Sequence, residues 1–589
     1  MTAGHTIAAD DRSGGGDPVS DGRKLMDQGR HEEAVAAFRR ELEADPKLPG
    51  HYNNLAVALT RLGRLDEAIA NFQQALKRDP DAIDARRNLA LAWSQRGRMS
   101  EAESAFRDVL RREGDSARAH HELANALRAA RKLDESLTHY REALRLEGDL
   151  ALAHHDLGLA LAELGRKKEA RESYQEALRL KPDFPEAHNN LGVLLEEVGQ
   201  FDEAVAAYQE SIRLRPNADD AYNNLGVALA AQRKYEEAVA AYRRALALRP
   251  HSPLPLNNLG NALRSLGEVP EAVNCLQQAI RLRPDYAEAY NNLAIALVQQ
   301  GRDEEALAYY ERALYLRPDY PEGHLNRALA WLAAGDYERG WLEYEWRWQG
   351  KDIRRRGFAQ RRWDGGTLEG RTILLHCEQG LGDTLQFIRY GRLLQRLGAK
   401  VVAEVQKPLA SLLANCQGLD QAVAAGNPLP AFDLHSPLLS LPGVLRTTLD
   451  SVPADVPYVF ADDRLVEVWR GRLASIDGFK VGIAWQGNTV YRGDRQRSIP
   501  LAEFAPLARL PGVRLVSLQK GFGTEQLASR PAAQVPRCQP PGYGPVDRVE
   551  PAGNVKAPEG LGTLPSDGGP SLAQGELVPP FSRLVKGVI

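Results

Sequence analysis

The apolar positions of the first 350 residues repeat as a block. Leu55, Leu89, Leu123, Leu157, Leu191, Leu225, Leu259 and Leu293 stand 34 residues apart without a slip. Gly29, Gly63, Gly97, Gly165, Gly199, Gly267, Gly301 and Gly335 keep the same step, as do Ala34, Ala68, Ala102, Ala170, Ala204, Ala238, Ala272 and Ala306. Pro46, Pro80, Pro182, Pro216, Pro250, Pro284 and Pro318 close the units. This grammar predicts a helix, a turn at the glycine, a second helix with a small alanine where the two meet, and a proline stop. One such pair cannot bury its apolar face alone. Neighbours must therefore stack into an α-solenoid, a right-handed superhelix with a concave inner surface.

The pattern resembles the tetratricopeptide repeat (TPR) family over residues 17–354, as about ten helical-hairpin repeats. The first unit is incomplete, behind a polar N-terminus (1–16) expected to be disordered. The last, "GDYERGWLEYEWRWQG", replaces the alanine by Gly340 and brings Trp341, Trp346 and Trp348 close to Trp331. These rings are expected to seal the array onto whatever follows; a ligand-stacking patch is the alternative.

A second regularity is polar. Asn54, Asn88, Asn190, Asn224, Asn258, Asn292 and Asn326 share one position on the first helix of their units. Asparagine costs several tenths of a kcal/mol against alanine in a helix. A row of carboxamides, each offering donor and acceptor, can bind the main chain of an extended peptide whatever its sequence. The alternative is that each amide ties neighbouring repeats together or faces water. Units such as "YNNLGVALAAQRKYEEAVAAYRRALALRP" are similar to the TPR superhelix of O-GlcNAc transferases. That resemblance implies proteins or peptides as partners, held on the asparagine row. Glu122 and Asp156 interrupt the row, which argues against continuous binding along the N-terminal half.

After a basic linker (355–370), expected to form a solvated face, the period changes at residue 371. "RTILLHC" reads as a strand and "DTLQFIRYGRLLQRLGA" as a helix, with "KVVAEV" the next strand. This succession predicts βαβ units and a parallel sheet, with ligands beyond the carboxyl ends of the strands. The loop "EQGLGD" (378–383) falls there. It is neither GxGxxG nor a P-loop.

The stretch "RTILLHCEQGLGDTLQFIRYGRLLQRLGAKV" resembles the start of the ADP-heptose:lipopolysaccharide heptosyltransferase family. The resemblance implies an α/β Rossmann-like GT-B domain, metal-independent and without a bound cofactor, that transfers a sugar from a nucleotide-sugar donor. Its acceptor-side half covers 371–470, with Gly380 and Gly382 in the loop and Asp383 as general base. A carboxylate beside the cleft could take the acceptor's proton, although helix capping is an equally ordinary task for an aspartate. His435, in "FDLHSPLLSLPGVL", is a second catalytic candidate. Residues 471–529, opening with "KVGIAW", resemble the start of the donor-side half. There Gln486, Asn488, Arg492 and Arg497 would meet the donor's phosphates and sugar, with arginine where the family has lysine.

Residues 530–589 break the reading. Proline and glycine make up roughly a third of them, in the range of low-complexity chain, which points to a disordered tail or a shifted reading frame. The second half of the GT-B domain is then incomplete, its apolar face is uncovered, and nucleotide-sugar transfer is expected to be impaired or absent. The alternative is a non-catalytic TPR scaffold. The net charge of −3 gives no case for nucleic acid. Cys275, Cys377, Cys416 and Cys538 show no metal spacing. That pattern, with no signal-like N-terminus and no apolar run long enough to span a bilayer, suggests a cytoplasmic protein.

Overall fold

The computed structural model describes residues 21–114, 116–350, 356–487, 498–519 and 523–527. They divide into two compact units, residues 21–282 and 283–527.

The first unit is a run of helical hairpins, from Asp21–Asp27 with His31–Ala44 to Pro253–Leu266 with Val269–Leu282. The periodic alanines lie at the helix crossings. Ala34, Ala68, Ala102, Ala170, Ala204, Ala238 and Ala272 are all 0% exposed, and so is Ser136, which stands in for alanine in the fourth hairpin. Large rings fill the space opposite small residues. A Cβ on Gly192 would lie 2.6 Å from the ring of Tyr208, and Gly158 and Gly226 face Tyr174 and Tyr242 in the same way. The turns take a left-handed residue: Gly63 has φ +74° and Gly199 +78°. In the two hairpins without that glycine, Arg131 and Arg233 adopt φ +61° and +64°, at about 1–2 kcal/mol each. The turn geometry is thus imposed by the packing of the two helices, and the residue complies.

Glu196 breaks the apolar rule inside this core. It is 6% exposed, its Oε2 accepts from the Tyr208 hydroxyl at 3.1 Å, and Oε1 has no partner. Burial pushes its carboxyl up to about 7, against the smaller opposing effect of the Tyr208 hydrogen bond.

The second unit begins with helices Ala287–Gln299, Asp303–Leu316, Pro321–Ala333 and Tyr337–Glu343, then a 3-10 turn, Tyr344–Gln349. A five-stranded sheet follows, built from β1 (Arg361–Arg362), β2 (Thr372–His376), β3 (Lys400–Val405), β4 (Gln421–Ala424) and β5 (Leu434–Pro437). The spatial order is β1-β5-β2-β3-β4, and every pairing is parallel. Ile373, Leu375, Val401, Ala403 and Val405 on one face share a core with Phe387 and Leu394 of the following helices and with Trp341 and Tyr344 of the last hairpin. The Trp341 ring meets Phe387 edge-on at 5.6 Å. The expectation that the terminal aromatics seal the repeats onto the α/β part therefore holds for Trp341. Trp331 instead lies against Arg327 and Arg339, and Trp346 stacks on His324.

A buried ion cluster reinforces this junction. The Arg347 side chain is 0% exposed and pairs with Glu378, itself 2% exposed, and with Glu345. It also donates to Ser440 Oγ at 2.6 Å, and its guanidinium stacks on Tyr344 and Trp348.

A separate two-stranded parallel sheet joins β6 (Phe479–Ile483) to β7 (Val513–Ser517). Its small core is Ile483, Trp485, Leu501 and Leu515. Phe479 and Leu518 are 71% and 57% exposed, so apolar surface is left open there. The tail at 530–589 and the N-terminal 1–16 lie outside the described residues. No described helix is long and apolar enough to cross a membrane.

Two stability measurements check these assignments. Arg347→Met strands Glu378 as a buried unpaired charge and is expected to cost about 3–5 kcal/mol in chemical denaturation. Adding Glu378→Gln should recover most of that loss. For Glu196, a carboxyl raised above its unfolded value favours the fold fully below the unfolded pKa. The advantage is lost as pH rises through about 7. Glu196→Gln should therefore match the parent near pH 4.5 and exceed it at pH 8, by up to roughly 3 kcal/mol.

Candidate functional site

The asparagine row lies on first helices, and its amides are not free. Asn88 Nδ2 donates to Asn53 Oδ1 at 3.2 Å, Asn224 to Asn189 at 3.2 Å, and Asn258 to Asn223 at 3.0 Å. In the second unit Asn326 donates to Asn291 at 3.1 Å. Each bond joins residues 35 apart, reaching from one hairpin to the residue just before the equivalent asparagine in the previous hairpin.

The interruptions at Glu122 and Asp156 keep this geometry and change its chemistry. Arg87 Nε donates to Glu122 Oε2 at 2.8 Å, and His121 Nε2 meets Asp156 Oδ2 at 2.8 Å, again 35 residues apart. The partner changes with the residue, so the seam runs on without a gap. Asp156 also meets His155 Nδ1 at 2.9 Å, and His155 Nε2 meets Asn190 Nδ2 at 2.9 Å. An amide nitrogen only donates, which assigns Nε2 as acceptor and puts the His155 proton on Nδ1, facing Asp156. Burial alone would raise the Asp156 carboxyl. The hydrogen bonds from His121 and His155 outweigh it and hold the group well below the usual carboxylate range. The coupled change was readable in the sequence as Arg87 with Glu122 and His121 with Asp156, had the preceding position been tracked alongside the asparagine.

Exposure sorts the row. Asn54, Asn88, Asn292 and Asn326 are buried, at 7%, 2%, 1% and 1%. Asn190, Asn224 and Asn258 are half-buried. One helical turn after Asn190 and Asn224, Val193 and Val227 are half-buried as well, as is Leu159 one turn after Asp156, while Asn261 holds the position after Asn258.

In the second unit, the loop after β2 is held at both ends. Glu378 accepts from Arg347 Nε at 2.9 Å and from the Leu439 N–H at 3.2 Å. The Gln379 amide donates to the Tyr344 hydroxyl at 2.9 Å, and Gln406 donates to the Gln379 carbonyl at 2.8 Å. Gly380 then caps the short helix Leu381–Phe387 with φ −69°, and Gly382 has no atom within 4 Å of where a Cβ would be. Neither glycine is left-handed. Asp383 is the third residue of this helix, and its Oδ2 accepts from the Gly380 N–H at 3.0 Å. It supports the helix start from inside the first turn, with Gly380 as the cap. Burial raises its carboxyl and the Gly380 hydrogen bond opposes that shift.

His435 lies on β5 opposite Leu374 of β2. Its Nδ1 is 3.3 Å from His376 Nε2, and the Phe358 ring packs on both imidazoles. Burial, aided by His435, pushes His376 down to about 3, and burial also lowers His435. Both rings are thus neutral near pH 7. The two catalytic candidates have separate contacts, Asp383 with Gly380 and His435 with His376. His376 and Arg347 escaped sequence reasoning because their partners lie 59 and 31 residues away. Gln486 follows β6: its N–H donates to Gln519 Oε1 at 3.0 Å and its Oε1 accepts from Gln526 at 2.8 Å. Its amide thus serves internal packing. Asn488, Arg492 and Arg497 lie outside the described residues. Among the described residues, no cluster of three or more His, Cys, Asp or Glu could hold a metal ion.

Tetratricopeptide-repeat family models match residues 22–70 and 189–253, residues 59–126, residues 124–165, 160–199 and 260–301, and residues 287–320. Protein FlbA of Caulobacter vibrioides is 27% identical over 231 residues, 33% of this chain and 37% of that protein. The chain thus spans little more than a third of that relative's length. Among solved structures, the MamA protein is similar at 24% identity over 29% of this chain and 93% of its own, with a TM-score of 0.27. Pseudomonas aeruginosa pilF is similar at 25% identity over 35% of this chain and 93% of its own, with a TM-score of 0.32. With the 34-residue grammar and the hairpins it builds, the family models identify residues 22–253 and 260–320 as tetratricopeptide repeats.

Proposed function

We propose that the chain is a protein-binding scaffold whose first unit holds an extended stretch of polypeptide. The observation that carries this reading is the half-exposed row Asn190, Asn224 and Asn258, with Val193 and Val227 one turn beyond the first two and Leu159 at the same position one hairpin earlier. Each of these asparagines spends one amide proton on the seam and keeps a second; the Oδ1 atoms of Asn224 and Asn258 accept from the preceding Asn223 and Asn257 at 3.4 Å and retain one lone pair each. An amide row beside an apolar row suits a main chain with every second side chain turned inward. The buried Asn54 and Asn88 serve the seam alone in this reading, and Asn292 and Asn326 do the same in the second unit. The test is fluorescence anisotropy of labelled unstructured peptides. Asn224→Ala with Asn258→Ala should weaken binding about tenfold or more, whereas Asn88→Ala should lower stability and leave affinity unchanged. Equal loss of affinity in both variants would reduce the row to a structural element.

A second reading is favoured by the parallel strand order of the larger sheet. Counting from β2, the third, second, first and fourth strands lie side by side, as in Rossmann-like halves. On this reading the second unit is a glycosyltransferase-like GT-B domain, impaired in this chain. Asp383 is its base, and its raised carboxyl pKa has the direction a base requires. His435 lies at the acceptor side, Gly380 and Gly382 form the loop, and Gln486, Asn488, Arg492 and Arg497 are the donor contacts. Calorimetric titration with nucleotide sugars is expected to give no saturable heat. Micromolar affinity would make the domain a working donor site.

A further inference from the structure

A repeat array carries its own control: whatever the fold demands at one position, it demands in every hairpin. The second helix of the third hairpin, Met99–Glu113, departs from the commonest residue at positions 100 and 103, although the position of Glu103 is also charged at Arg171 in the fifth hairpin. Glu103 stands where other hairpins have Val35, Ile69, Leu137, Val205, Val239 and Val273. Ser100 stands where Glu32, Asp66, Asp134, Asp202 and Glu236 carry an acid, with Lys168 and Pro270 as exceptions, and Ser104 at a position that alternates between alanine (Ala36, Ala70, Ala206, Ala240) and polar residues (Thr138, Glu172, Asn274). On the next second helix, Leu133–Leu146, His139 occupies a variable position, alanine at Ala37, Ala105, Ala207 and Ala241 and otherwise Asn71, Ser173, Cys275 and Tyr309. Ser100, Glu103, Ser104 and His139 all line one cavity of about 560 Å³. That is within the roughly 300–1,000 Å³ usual for small-ligand sites.

The rest of the wall gives the cavity its chemistry. Glu103 is 5% exposed, and a carboxylate there is costly unless paired. It is paired: Lys132 Nζ donates to both oxygens at 2.9 and 3.0 Å, and Arg107 donates to one. Burial would raise the Glu103 carboxyl, and these two cations outweigh it and hold it low. Against this one carboxylate the wall carries three cations, Arg107, Arg111 and Lys132. Arg107 and Arg111 also reach Glu135 and Asp108 outside the cavity wall, contacts that water screens. Leu110 and Leu123 supply apolar surface.

We propose that this cavity binds a small organic anion, a phosphate monoester with an apolar body. Arg107, Arg111 and Lys132 hold the phosphate, Ser100 and Ser104 supply hydroxyl donors, and the body rests on Leu110 and Leu123. Glu103 keeps two of the cations in place while the site is empty. The site is independent of the amide row and of the sheet.

Calorimetric titration of the full chain tests it with phenyl phosphate, inorganic phosphate and phenol. Phenyl phosphate should bind saturably, and the two partial probes about tenfold or more weaker. Lys132→Met, at a half-exposed side chain, should lose about tenfold in affinity with an unchanged circular dichroism spectrum. Glu103→Val installs the residue seen at Val35, Val205, Val239 and Val273. It should abolish binding while raising the midpoint of thermal unfolding, so that loss of binding is separated from loss of fold. No saturable binding of phenyl phosphate would overturn the proposal, as would an affinity unchanged in both variants.

Discussion

The bond from one hairpin's amide to the residue 35 positions earlier fixes the register on which the repeats depend. Apolar stacking gives the array its cohesion but is non-directional, and two smooth helical faces could slide. A buried polar pair cannot slide without losing its partner, at about 1–3 kcal/mol for each group left unsatisfied. Asn88 with Asn53 and Asn258 with Asn223 are such pins. The same pin is made from ions at Arg87 with Glu122, and from an ion and an imidazole at His121 with Asp156. Three chemistries on one geometry indicate that the position demands a directional bond and is indifferent to which one.

This bears on what the row can offer a ligand. An amide satisfied on one side and buried on the other has nothing left to give, which is the state of Asn88. An amide at the half-buried end of the row can hold its neighbour and a guest together. On the proposed function, the seam and the binding surface are the same row of residues at different depths. The exposed portion around Asn190 to Asn258 follows directly after the charged portion around Glu122 and Asp156.

The sequence made the repeats readable because their requirements are local and recur: a small residue at each crossing, a turn where φ is positive, a leucine in each core. Even its omissions were informative, since the hairpins lacking the turn glycine force Arg131 and Arg233 into the same conformation. Strands β2 and β3 were readable from composition alone. Arg347 was not. It lies in the aromatic-rich last unit, and its burial depends on Glu378 and Ser440 arriving from elsewhere in the chain. Asp383 reads as the end of the loop 378–383, whereas the helix already begins at Leu381 and the Gly380 N–H that holds Asp383 is a three-residue contact that no motif announces. His376 was hidden for a different reason: an imidazole inside an apolar strand looks like an ordinary core position until a second imidazole is seen 3.3 Å away.

The Arg347 cluster also changes how the two kinds of structure in the second unit relate. A loop at the carboxyl end of a parallel strand is ordinarily positioned by its own sheet. Here Glu378 and Gln379 are held by Arg347 and Tyr344 of the last helical hairpin. Four of the loop's neighbours thus come from outside the βαβ unit or its first crossover, counting Leu439 and Gln406. A buried arginine with two carboxylates has few alternative arrangements, because each is penalised by an unpaired charge. A displacement of the hairpin would therefore reach the loop through Arg347 and Tyr344, and the loop could not adopt a new position while Arg347 kept its old one. The repeats and the sheet share one core and one ion cluster, so the boundary that the sequence periodicity draws near residue 354 is a change of grammar within a continuous packing unit.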